Sequence, residues 1–91
     1  MPTAAQFSKM RETFLKTEFP AYYKQLEKSG TLSQHLEEIG LEAESLSAET
    51  QSGLMASAPQ EMSDRMRHFE AIPLQVREIV QHDLILVPPK A

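Results

Sequence analysis

Leu32, Leu36, Ile39, Ala43 and Leu46 return at alternating intervals of four and three residues. That spacing aligns side chains along one side of an α-helix, and it is the strongest periodic signal in the chain. Nowhere does Val, Ile or Thr alternate with polar residues for long enough to build a sheet. The expected class is therefore all-α, a small bundle of three to four helices. A stripe of about two heptads is too short for a free coiled coil, so it should face a core, with Leu36 and Ile39 as consecutive buried positions. A chain of 91 residues supports one such core, giving a single helical domain over 1–91.

Capping and breaking residues divide the rest. Thr3 suits an N-cap for a first helix carrying Phe7, Met10 and Phe14 on one side. Pro20 lacks a backbone N–H and disfavours helical geometry at Phe19, which predicts a break near Glu18 and a restart with Pro20 in the first turn. This short second helix, with Tyr22, Tyr23 and Leu26, should end at Ser29-Gly30 through a left-handed glycine. Thr31 or Ser33 can cap the next helix. Gly40 weakens its interior by roughly 1 kcal/mol relative to alanine, so either packing compensates or the helix bends. The Ser- and Ala-rich stretch that follows predicts fraying near Gln51 to Gly53 and a mobile loop. Pro59 fits the first turn of a last helix, with Glu61 near its positive end and Met62, Met66 and Phe69 as its apolar face. Pro73 predicts a kink or restart, after which Leu74, Val76, Ile79 and Val80 continue the burial. Leu84 to Val87 read as a last helical turn or a short extended tail, stopped by Pro88-Pro89.

Charge is unevenly distributed along the chain. Residues 1–28 carry five basic and three acidic side chains, residues 29–64 seven acidic and no Lys or Arg, and residues 65–91 four basic and three acidic, for a net charge of −4. Oppositely charged helices lying against one another would account for this map, as would solvated faces. No apolar run reaches the roughly 18 residues of a membrane span, and the first residues do not form a secretory signal, so a cytoplasmic protein is expected. The absence of cysteine removes disulfides, thiolate metal sites and cysteine nucleophiles.

Chemical constellations are sparse. His35 shares a neighbourhood with Glu38 and Glu42, but a bundle di-metal centre requires Glu-x-x-His pairs, and no Glu stands three residues before any histidine. Glu78 and His82 share a face as a solvated pair. With three scattered glycines there is no phosphate loop, and no serine sits in a nucleophile elbow. The expectation is no catalysis, no cofactor and no metal. A helix-turn-helix centred on Ile39-Gly40-Leu41 fails because its second helix would offer Glu42, Glu44 and Glu49 to phosphates. Any nucleic-acid contacts would instead come from Lys9, Arg11, Lys16, Arg65 and Arg67 on the terminal helices.

The run from Met10 to Ala43 resembles the TnpV family of small transposon-encoded bacterial proteins. Leu15-Lys16, Tyr23, Leu26, Ser29-Gly30, Leu32, His35-Leu36, Glu38-Ile39 and Ala43 carry the likeness, extended by Arg65-Met66, Glu78-Ile79-Val80 and Leu84-Ile85. The chain departs from the family pattern in its Ser- and Ala-rich middle, in having no tryptophan before the last helix, and at Pro73. The resemblance implies an accessory protein of a mobile genetic element and brings no catalytic residues. Tyr23, His35, Glu38 and Glu42 are the candidate partner-binding or structural motif. His35 is expected to be part-buried and hydrogen-bonded, with Tyr23 across the Ser29-Gly30 turn as its nearest candidate partner. Two functions compete: a non-enzymatic interaction module that meets an unknown protein partner or a second copy, and a nucleic-acid-associated accessory factor using the basic terminal helices.

Overall fold

The computed structural model describes residues 2–89, and among these every regular element is helical. Helix α1 (Ala4–Glu18), α2 (Pro20–Ser29), α3 (Leu32–Ala56) and α4 (Met62–Val80) are followed by a π-helical turn, Gln81–Ile85. The start of α1 is set by Thr3 in a capping box: Gln6 N donates to Thr3 Oγ1, and Thr3 N donates to Gln6 Oε1 at 2.8 Å. Phe19 separates α1 from α2, and Pro20 opens α2, as its missing donor requires. Gly30, at φ 75°, closes α2 with Gly30 N bonded to the Glu27 carbonyl and Thr31 N to the Leu26 carbonyl. These are the two bonds of a Schellman motif. Thr31 holds the N-cap position of α3, but its hydroxyl pairs with Ser29 Oγ and does not cap.

Helix α3 is longer than the sequence signals indicate. Fraying at Gln51 to Gly53 does not occur, and the helix continues to Ala56. Its last turn is held from α4, where His68 Nε2 donates to the Leu54 carbonyl, which also accepts from Ser57 Oγ. A carbonyl at a helix C-terminus has no intrahelical partner, and these donors supply one. Pro59 lies outside α4, which begins at Met62 because the Glu61 carboxylate accepts from Asp64 N at 3.0 Å and acts as its N-cap. The same bonds hold the exposed Glu61 carboxyl below its ordinary range. Pro73 neither ends nor restarts α4, which runs through it to Val80. The ring occupies an exposed position and leaves the Phe69 carbonyl without its helical donor.

The core is Phe7, Ala43, Ile72, Val76, Val80 and Ile85, with Met10, Ile39, Leu46 and Phe69 packed around it. Val76 and Val80 are four residues apart, whereas Ile85 follows Val80 by five. The π turn, closed by Leu86 N on the Gln81 carbonyl, absorbs the extra residue and returns Ile85 to the core side. The Leu32-to-Leu46 stripe is only partly interior. Leu36 and Ile39 are half-buried, and the buried line on α3 is instead Gly40, Ala43 and Ser47. Small residues win there because α1 crosses α3 closely. A Cβ on Gly40 would meet Ser8 Oγ and stand 2.5 Å from the Ala4 carbonyl oxygen. Ser8 Oγ donates to the Leu36 carbonyl at 2.6 Å, and Glu44 accepts from Ala4 N at 2.9 Å. Helix α1 therefore runs antiparallel to α3, and α4 does so too, since Leu54 meets His68.

Helix α1 covers only part of α3, and beyond its N-terminus the far halves of α3 and α4 continue as a two-helix arm. Met62 and Met66, expected to be core, are 71% and 57% exposed there, and Leu74 is 62% exposed. Ile79 is exposed as well, leaving Val76 and Val80 as the buried pair of the expected four. The arm gives the molecule its extents of 54 × 20 × 19 Å and a radius of gyration of 15.9 Å, against about 12 Å for a compact domain of this length.

Two substitutions separate helix propensity from packing. Gly53 has nothing near an added Cβ, so Gly53→Ala should raise stability by about 0.5 to 1 kcal/mol, whereas Gly40→Ala should lower it by about 1 to 3 kcal/mol despite the same gain in propensity. Urea unfolding midpoints check the pair, and equal shifts of one sign would contradict the close crossing. The buried Ser47 hydroxyl has no hydrogen-bond partner among the described residues. Ser47→Ala should therefore leave stability unchanged or raise it by about 1 kcal/mol, read from the same midpoints.

Candidate functional site

The most unusual polar group in the bundle is Arg11, on α1 between Phe7 and Leu15, only 4% exposed. Its Nη1 donates to the Ile85 carbonyl at 2.9 Å and also to the Val87 carbonyl, while Nε donates to His35 Nε2 at 3.4 Å. The guanidinium also lies over the Phe14 ring, 5.6 Å from its centroid. One side chain thus joins α1, α3 and the end of the chain's last helical turn. The carbonyls at that end carry the negative end of the helix dipole and lack helical donors, which suits a planar cation with several N–H groups. Burial lowers the Arg11 pKa from its ordinary value, with Tyr22 acting in the opposite direction.

His35 is half-buried beside this cation. Because Nε2 accepts from Arg11, the ring is neutral with its proton on Nδ1. Desolvation is the main cause that lowers its pKa, and Arg11 adds to the effect against the opposing pull of Glu38 and Glu42. The expected partner Tyr23 is replaced by Arg11. Tyr23 is a buried packing residue of α2 with Lys16 Nζ 5.5 Å from its ring centroid. Glu38 and Glu42 remain exposed on α3, Glu38 accepting from Gln34. Of the four motif residues, the fold joins His35 to the two glutamates electrostatically and leaves Tyr23 as part of the packing.

The basic set divides differently from the sequence expectation. Arg11 is withdrawn into the interior by the carbonyls that hold it. Lys9, Lys16, Arg65 and Arg67 stay exposed, with Arg65 over the Phe69 ring at 5.0 Å, on the arm. Charge pairing between helices also fails to appear. Among the described residues the one close approach of a basic to an acidic side chain is that of His82 to its neighbour Asp83, and no Lys or Arg contacts a carboxylate. No three His, Asp or Glu residues converge in metal-binding geometry among the described residues, and none of the helices is long and apolar enough to cross a membrane.

The principal concavity was not legible in the sequence. Two adjoining open clefts, of about 600 and 540 Å³, run between α1 and the α4–π segment and share Gln6 and Met10. Phe14, Leu74 and Leu86 supply apolar lining, with Arg77, Lys9 and Glu18 at the edges. Helical spacing places Met10 and Leu74 near core stripes in sequence, and only the crossing of the helices opens a cleft between them. A family model described as transposon-encoded protein TnpV matches residues 2–85. No curated protein and no solved structure matches the chain.

The folded state binds fewer protons at His35 than the unfolded chain does, since its pKa is held below 6.5. The stability contributed by the neutral ring is complete above that value and is lost as pH falls through the lower folded value. Thermal unfolding followed by circular dichroism should therefore show the midpoint falling between about pH 7 and pH 5. His35→Gln, whose amide oxygen can accept from Arg11, should flatten that fall, and His35→Ala should lower the midpoint throughout. Parallel curves for all three proteins would exclude the Arg11–His35 coupling.

Proposed function

We propose, from the premise that this chain belongs to the TnpV family of transposon-encoded proteins, that it is a non-enzymatic interaction module serving its mobile element as an accessory protein. The observation that carries this reading is the apolar cleft along α1 and α4, left open in a chain that otherwise has a well-packed core. An open apolar strip bordered by polar groups is the usual form of a protein-docking surface. The arm adds Met55, Met62 and Met66, whose flexible side chains adapt to a partner's contour. Nucleic-acid binding is the weaker reading because Arg11 is occupied internally. Of the other four, Lys9 and Lys16 lie on α1 and Arg65 and Arg67 on α4, so the expected basic set is divided between two helices.

The test compares retention of the element's own recombinase on immobilised protein with a salt-sensitive shift of duplex DNA. Retention should persist in moderate salt and weaken about tenfold or more on Leu74→Glu, which places a charge in the cleft. A DNA shift that weakens with salt and with Arg65→Ala and Arg67→Ala, without retention of the recombinase, would favour the second reading.

A further inference from the structure

Resting on the reading of the chain as an interaction module, we propose that the α1/α4 cleft takes the Leu41 face of α3 from a second copy of this chain. Leu41 is a large apolar side chain 56% exposed on α3. Glu37 and Glu38 stand one turn before it, both exposed, in a segment free of Lys and Arg. It therefore presents an apolar knob within a negative surround. The cleft has the complementary character. Met10 lines both halves, Phe14, Leu74 and Leu86 add apolar surface to it, and Lys9 and Arg77 add positive charge.

Charge complementarity decides the occupant. The bases at the cleft edge and the acids around Leu41 have no oppositely charged partner within their own chain among the described residues. They sit on different sides of α1: Leu41 borders the α1/α3 crevice with Ala4, Ala5 and Ser8, whereas the cleft lies between α1 and α4. One copy cannot bring them together, and two can. Seating Leu41 on Met10 sets Glu37 and Glu38 against Lys9 and Arg77. It also places the contact at Met10, about 12 Å along α1 from Glu18, the one acid lining the cleft. Complementary charge then fixes the register and orientation of an apolar contact.

The experiment is sedimentation equilibrium on the purified chain. Wild type should associate with rising concentration and dissociate with added salt. Leu41→Glu disables the knob, and Lys9→Glu with Arg77→Glu disables the cleft edge. All three positions are exposed, so circular dichroism should show both proteins folded. Each alone should associate about tenfold or more weakly than wild type, a loss of roughly 1.4 kcal/mol or more. Their equimolar mixture should recover a one-to-one pair, because one partner keeps a cleft and the other a knob. A wild type that stays monomeric overturns the proposal and leaves the cleft to an acidic helix of another protein. Association unaffected by the substitutions, or a mixture that does not recover, overturns it as well. Because no other protein is present, failure here leaves retention of the recombinase as a separate result.

Discussion

Arg11 is a buried cation whose hydrogen-bond partners are carbonyls and an imidazole. Removing a guanidinium from water is unfavourable unless its N–H groups are satisfied, and the end of a helix is among the few neutral arrangements that can satisfy them. The final π turn has to deliver the Ile85 and Val87 carbonyls to Arg11, and it has to deliver the Ile85 side chain to the core. Both follow from the one extra residue between Val80 and Ile85. His35, as acceptor for Nε, ties the same centre to α3. The ends of the chain are thus joined through one side chain, although they are far apart in sequence.

A related logic holds the other helices together. Their contacts rely on backbone groups at helix ends more than on paired charges. Glu44 accepts from the first turn of α1, His68 donates to the last turn of α3, and Ser8 donates to a carbonyl of α3. Each connects an element to the orphan or accessible backbone of its neighbour, which fixes register as well as proximity. The acidic character of α3 takes no part in this except at Glu44. Its remaining glutamates stay in solvent, consistent with the small value of exposed ion pairs, and are left for external contacts.

The limited length of α1 controls the shape. Where α1 covers α3, Gly40, Ala43 and Ser47 allow a close approach and the core is continuous. Past the N-terminus of α1, α3 and α4 have only each other among the described residues, and apolar residues with ordinary core spacing, Met62 and Met66, remain in solvent. A periodic stripe states which side of a helix is apolar, not whether a neighbour is long enough to cover it.

The sequence alone determined the helical class, the Thr3 cap, the break at Phe19-Pro20, the Gly30 terminus and the resemblance to TnpV proteins. Each depends on local chemistry, on a missing N–H, a permissive φ, a capping oxygen or a spacing, which neighbours far along the chain do not alter. His35 was identifiable as a residue beside the apolar stripe, but its partner was not, since nothing local distinguishes Tyr23 from Arg11. Tertiary structure decided that pairing, the burial of Arg11 in place of surface exposure, the preference for Gly40 and Ala43 over Leu36 at the crossing, and the continuity of α4 through Pro73. It also decided where the apolar cleft lies. These are outcomes of competition for the same buried volume and the same unpaired carbonyls, and that competition is settled only when helices distant in sequence are brought together.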